Sequence, residues 1–213
     1  MAAVPAASPA KSLRKTPTQA RAKERFERIL VAASALIAKS GSDHMKMSDV
    51  AANAGVPIGS VYQYFPDKSA IIITLAQRIM DLVRHGLSQA MESVGSLDDA
   101  ERALMTTLDD YYQLFLAEPV ARDIWFGMQA DQTLHELDIE DSRANGEIAY
   151  QALKKLIPRK DWKRLETACF LIMQLTGMAV RLAISVERKE GDRIMAVYKD
   201  MIRRELISVH DAA

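Results

Sequence analysis

Hydrophobic positions recur at helical spacing along most of this chain. Phe26, Ile29, Leu30, Ala33, Leu36 and Ile37 fall at i, i+3, i+4, i+7, i+10 and i+11, one face of an α-helix. They predict a first helix from an N-cap at Thr18 to about Ser40, closed by Gly41. A short helical run then ends at Ala54. Gly55 supplies a residue that takes φ > 0 at no steric cost, and a second short helix follows with Pro57 near its first turn. Val50, Ala51, Ala54, Val56 and Val61 can pack between these two helices, and the small alanines let them approach closely.

Further on, Asp67 caps a helix that runs to about Ser93, with Gly86 inside it. Ser96 caps another, carrying Leu104, Leu108, Tyr111 and Phe115 on one stripe and Met105, Tyr112 and Leu116 beside it. Glu118-Pro119 marks a break before a short segment holding Trp125, Phe126 and Met128. An acidic helix is predicted from about Asp131 to Ile157, where Pro158 interrupts. Asp161 starts a long apolar helix to about Arg188, and after Glu190-Gly191-Asp192 a final helix runs to about Val209. No run alternates as a strand does, and Ile71-Ile72-Ile73 sits inside a longer helical pattern. The predicted fold class is all-α.

Composition narrows this picture. At 213 residues and 49% hydrophobic, the chain can bury a sizeable core, and its 11 methionines favour helix over sheet. The one cysteine, Cys169, excludes an intramolecular disulfide and a multi-cysteine metal site, and its apolar helical setting makes it a small buried hydrophobe. His44, His85, His135 and His210 are scattered, so neither a metal nor a cofactor is expected. No stretch reaches roughly 18 uninterrupted apolar residues, and Met1–Pro9 lacks a signal-type apolar core. The expectation is a cytoplasmic protein without a membrane partner.

Charge is unevenly spread although the net is +0. Residues 1–68 hold ten Lys/Arg against five Asp/Glu, and residues 69–213 hold eighteen against twenty-three. The N-terminal part thus has the polarity that suits a phosphate backbone. Residues 1–17 are Ala/Pro/Ser/Lys-rich and predicted to be a disordered basic arm, in which Lys11, Arg14 and Lys15 could brush DNA or form a solvated tail.

The chemistry concentrates in residues 46–68. The second short helix carries Ser60, Tyr62, Gln63 and Tyr64, with Lys68 beyond Pro66. Hydroxyls, an amide, phenols and a lysine hydrogen-bond phosphate oxygens and base edges, and nothing nearby pairs a nucleophile with a base. Taken alone, these residues also fit a surface helical hairpin that happens to carry tyrosines. The run Val50-Ala51-x-x-Ala54-Gly55-Val56-x-x-Gly59-Ser60-Val61-Tyr62-x-Tyr64-Phe65-x-x-Lys68 closely resembles the DNA-binding signature of the TetR/AcrR family of bacterial transcriptional regulators.

That resemblance implies a three-helix helix-turn-helix DNA-binding domain over 18–68 and a helical-bundle domain for ligand binding and dimerisation over 69–209. By matching position, Ile58, Gly59, Ser60, Tyr62, Gln63 and Tyr64 are expected at or near DNA, with Lys68 on a phosphate. Gln63 is the expected base reader, since a carboxamide can bond adenine twice, while Tyr62 and Tyr64 hold phosphates and Val61 and Phe65 are core. Two positions depart from the family pattern. Lys46 stands where a capping hydroxyl is frequent; it contacts phosphate, or else Ser48 or Asp49 satisfies the helix N–H groups. Pro57 replaces a frequent serine and removes one hydroxyl.

The last two predicted helices have broad apolar faces. Ala168, Ile172, Leu175, Ala179 and Leu182 on one, and Val197 and Met201 on the other, fit either an intramolecular core or a four-helix interface between two chains. The resemblance implies the second, a homodimer on a near-palindromic double-stranded operator. It also implies an apolar effector pocket, for which Tyr112, Phe115, Trp125, Met128, Phe170 and Met173 are the candidate lining residues. The acidic run His135–Asp141 is expected to be a solvated helix face, because its spacing suits no metal. The function expected is a repressor released by a small-molecule effector. The alternatives are a constitutive DNA-binding regulator and a helical-bundle enzyme, the latter without paired catalytic carboxylates or a phosphate loop to support it.

Overall fold

The computed structural model describes residues 20–127 and 131–211, with side-chain surroundings as far as residue 206. The arm 1–17, the cap Thr18 and Met128 lie outside the described residues. Among those described, every regular element is helical: α1 (Ala20–Ser40), α2 (Met47–Ala54), α3 (Ile58–Tyr64), α4 (Lys68–Glu92), α5 (Leu97–Ala117), α6 (Pro119–Gly127), α7 (Gln132–Leu153), α8 (Trp162–Ser185) and α9 (Arg188–Asp211), with a single 3-10 turn at Arg159–Asp161. The chain divides into two compact units, Met1–Gln77 and Arg78–Ala213, the division falling within α4.

Local chemistry sets the helix ends. Asp67 Oδ1 accepts from Ala70 N at 3.0 Å, Ser96 Oγ from Asp99 N at 3.1 Å, and Asp131 Oδ1 from Leu134 N at 3.0 Å, each satisfying an orphan first-turn donor. Gly41 and Gly55 close α1 and α2 with φ of 82° and 62°. In the first unit α1 packs on α2 and α2 on α3. Its core joins Ile29, Leu30, Val50, Val61 and Phe65, all fully buried.

In the second unit α8 packs against both α7 and α9, and α5 contacts α6, α8 and α9. Ala100, Ala149, Leu153, Ile157, Leu165 and Cys169 form one buried cluster there. Gly146 lets α7 lie almost on the backbone of α8, since a Cβ on it would meet Phe170 Cα at 2.8 Å.

Two expectations are corrected. The acidic helix stops at Leu153, and the chain turns through Lys154–Ile157 before Pro158. The break between the last two helices falls at Val186–Glu187, so Glu190-Gly191-Asp192 lies inside α9. Gly191 donates its N–H to Glu187 O at 2.9 Å as an ordinary helical residue. A Cβ on it would stand 2.2 Å from Ala183 O. Glycine is there for close approach to α8, and it does not end a helix.

Candidate nucleic-acid interface and ligand cavity

The turn between α2 and α3 is built by backbone bonds. Gly55 N donates to Ala52 O and Val56 N to Ala51 O, both at 3.1 Å, which is the paired-bond closure available when the residue after the helix is left-handed. From α1, the Arg28 guanidinium donates to Ala54 O at 2.5 Å and Gly55 O at 3.1 Å, capping carbonyls that α2 leaves open. Arg28 is a positioning residue that pattern reading missed, because an arginine on an outer helix face reads as solvated.

With the turn held, α3 shows two faces. Val61 and Tyr64 are buried, while Ile58, Gly59, Tyr62 and Gln63 are exposed and Ser60 is half-buried. The exposed set presents a hydroxyl, a carboxamide and open backbone at Gly59, where nothing lies within 4 Å of a would-be Cβ. Two expected contacts are placed differently. Tyr64 is only 4% exposed, its ring edge-on to Phe26 with centroids 5.8 Å apart, so it belongs to the core with Phe65, which stacks on Phe26 at 5.1 Å. Lys68 Nζ donates to Ser42 O at 3.4 Å and Asp43 O at 3.2 Å, tying the α1–α2 loop to the start of α4. Lys46 occupies the N-cap of α2 without a side-chain cap bond, and its side chain is exposed.

The second unit contains a cavity with about 740 Å³ of empty space, counting its open mouth. One end is apolar, lined by Ile79, Met80, Leu87, Leu104 and Met173 among others. The other end is polar, with Tyr111, Asp138, Asp141, Ser142 and Asn145. Of the expected lining residues, Trp125 and Met173 are in place. Phe115 is fully buried behind Tyr111 and Trp125, with centroids 4.9 Å from each. Tyr112 faces the start of α9, where Arg188 lies over its ring at 5.4 Å. Phe170 lines a different recess under the Arg143 guanidinium, 4.3 Å from its centroid.

The acidic run is therefore only partly a solvated face, a further correction. His135, Glu136 and Glu140 are exposed, but Asp138 is 8% exposed and Asp141 turns inward. Asp138, Asp141, Ser142 and Asn145 stand at i, i+3, i+4 and i+7, continuing the inner stripe of Leu134, Ala149 and Leu153. That periodicity is the signal in the sequence that could have found them.

The polar end is wired. Arg84 donates to Asp141 Oδ1 from Nη2 at 2.8 Å and Nε at 3.2 Å, and Asn145 Nδ2 donates to Oδ2 at 2.9 Å. Burial still raises the Asp141 carboxyl above its ordinary value, against the pull of Arg84 and Asn145. Gln174 Nε2 donates to Asp138 Oδ2 at 2.9 Å. Burial, then the charges of Asp138 and Asp141, push the Tyr111 hydroxyl well above the usual phenol value, with Arg181 partly offsetting them. The phenol stays protonated and can donate.

The proposed dimer residues divide by exposure. Ala168, Ile172, Leu175 and Ala179 are half-buried, and Ile172 also lines the cavity. Leu182, Val197 and Met201 are exposed by 53%, 62% and 56%. The Arg159–Ser185 segment reaches a hydropathy of 1.6, enough by length and composition to cross a membrane, with 22% of its window buried. Its polar side chains are used inside the bundle: Gln174 bonds Asp138, and Thr176 lies 3.0 Å from the Tyr198 hydroxyl.

Comparison with known proteins adds a match of residues 98–209 to the model of the tetracyclin repressor-like C-terminal domain, and of residues 29–75 to that of the tetR family of bacterial regulatory proteins. The chain belongs to the TetR family. The HTH-type transcriptional regulator YvdT of Bacillus subtilis is 31% identical over 88 residues, 41% of this chain and 44% of that protein. The HTH-type transcriptional repressor KstR of Rhodococcus jostii is 41% identical over 56 residues, 26% of each chain. The chain thus spans less than half the length of these curated relatives. A TetR-family transcriptional regulator from Streptomyces coelicolor superposes with a TM-score of 0.69 at 27% identity, covering 89% of this chain and 99% of that one.

Proposed function

We propose that this TetR-family protein is a homodimeric, sequence-specific DNA-binding repressor that a small molecule in the second unit's cavity releases from its operator. The observation that carries the DNA-binding reading is α3: a helix with one face locked into a core by Val61, Tyr64 and Phe65, and an opposite face of exposed hydrogen-bonding groups. Gln63 is the base-reading candidate and Tyr62 the phosphate contact, with Ser60, Ile58, Gly59 and Lys46 as further candidate contacts. Tyr64 and Lys68 serve this surface by holding its scaffold.

The exposed apolar residues of α8 and α9 support dimerisation, because an isolated protomer would leave Leu171, Met178, Leu182, Val197 and Met201 in water. The cavity supports effector control. Ile79, Met80, Val83 and Leu87, which line it, belong to the same helix that begins at Lys68 in the first unit. A ligand that favours one position of α4 can thereby favour one spacing of the α3 helices, a coupling typically worth about 1–3 kcal/mol.

Selection from a random pool of DNA duplexes tests the reading. It should enrich an inverted repeat bound by two chains, with affinity that falls steeply with salt. A pool that enriches no sequence, or one without two-fold symmetry, would overturn it.

A further inference from the structure

The polar end of the cavity carries groups that the protein itself leaves unanswered. Asp141 is fully matched, by Arg84 on one oxygen and Asn145 on the other. Asp138 is different. Its Oδ2 accepts one neutral amide N–H from Gln174, and among the described residues no cation stands within ion-pair distance of it. Nearby charges are Asp141, which adds to its field, Arg84, which is committed to Asp141, and Arg181, whose charge is felt at Tyr111 and whose Nε is itself buried without a hydrogen-bond partner.

Asn145 gives an independent sign. It is 7% exposed, lines the cavity, and its Oδ1 has no hydrogen-bond partner although its Nδ2 is used. A buried acceptor without a donor is costly, so its retention in the same cavity as a carboxyl group that has no ion-pair partner points to a guest that supplies donors.

Next to the cavity lies a second, narrow recess, about 350 Å³ counting its open mouth, lined by Leu153, Leu165, Ala168 and Cys169 among others. Leu104, Ile172 and Met173 line both spaces. Met173 is unbranched and can change rotamer to join them.

Resting on the reading that this cavity receives the effector, we propose that the effector class is an amphiphilic cation: a protonated primary or secondary amine at Asp138, with an extended apolar tail running toward Met173. The ammonium donates to the Asp138 carboxylate, and the tail removes apolar surface from water. A carboxylate head meets the unpaired Asp138 there, and an alcohol supplies a single donor without charge.

Titration calorimetry on the full chain at neutral pH, with n-decylammonium, n-decanol and n-decanoate below their aggregation limits, tests this. Decylammonium should bind at least about tenfold more tightly than decanol, the expected gain for a charge-assisted bond over a neutral one, and decanoate should be weakest. Asp138→Asn, which keeps the side chain's shape, should bring the amine and alcohol within about threefold of each other. Decanol or decanoate binding as tightly as the amine, no binding by any of the three, or an unchanged preference in a folded Asp138→Asn protein would each overturn the proposal. If that variant does not fold, the ranking on the unmodified chain decides. Operator occupancy is measured separately. Amine preference without DNA release sinks the effector reading and leaves the ligand class standing, whereas release by decanoate alone does the reverse.

Discussion

Gly59 and Cys169 show how far one residue's surroundings decide its role. At Gly59 an added methyl meets nothing, and a helix interior favours alanine over glycine by about 1 kcal/mol. Gly59→Ala should therefore leave urea stability unchanged or raise it by up to about 1 kcal/mol, while weakening operator binding by at least about tenfold if DNA backbone approaches there. A variant that is stable and binds normally would remove Gly59 from the contact surface. Cys169, by contrast, is sealed between α7 and α8, and burial with the Glu147 charge pushes its thiol up to about 12. At pH 8 its thiolate fraction is about one in 10⁴, so alkylation should run roughly 10³-fold slower in the native protein than in denaturant. Comparable rates would mean that the α7–α8 seam opens readily. The sequence reading placed Cys169 correctly because an apolar residue in an apolar run has one sensible environment. It did not show the scaffold contacts of Tyr64 and Lys68, because amphipathic side chains fit equally well on DNA or on their own scaffold, and only the position of Phe26 and of the Ser42 and Asp43 carbonyls reveals the latter.

At the scale of elements, caps were legible: Asp67, Ser96 and Asp131 each mark a helix start by a local bond that needs no tertiary knowledge. Glycines were legible at Gly41 and Gly55, which end helices, but not at Gly191, since the same residue can end a helix or let two helices meet. Gly191 and Gly86 expose the difference. In α9 a Cβ at Gly191 collides with Ala183 O and reaches 2.9 Å from the Tyr112 hydroxyl, whereas at Gly86 in α4 it meets nothing. Gly191→Ala should cost about 2 kcal/mol or more in thermal or urea unfolding, because backbone cannot yield as a flexible side chain does. Gly86→Ala should gain up to about 1 kcal/mol by the propensity difference alone. Equal effects would mean that α8 and α9 do not approach as closely as Gly191 allows. The acidic helix α7 was half legible for a related reason. Carboxylates on a helix read as solvent-facing unless their spacing is laid over the apolar stripe, and Asp138 and Asp141 follow that stripe into the cavity.

For the whole molecule, the exposed apolar face of α8 and α9 and the proposed two-fold operator belong to one argument. Leu182 and Val197 lie together in a shallow recess with Ala179, Ile194 and Met201. Neither is needed for the protomer's own core, since both are exposed there. Changing both to glutamate should therefore leave the helical content of the protomer intact and cost it less than about 1 kcal/mol, as surface substitutions do. In a dimer the same two carboxylates would be buried opposite their own copies, a burden of several kcal/mol per interface that apolar contact at about 25 cal/mol per Å² does not recover. Sedimentation at micromolar protein should then show monomers for the double variant and dimers for the parent. The DNA consequence follows from linkage of two sites. A dimer binds its second half-site at an effective concentration near millimolar, so separating the protomers should reduce operator affinity by about 10²–10⁴-fold with every α3 contact still present. Half-site affinity measured on a single-repeat duplex should be the same for parent and variant. A double variant that is monomeric yet binds the full operator as tightly as the parent would show that the two reading helices are not joined through α8 and α9.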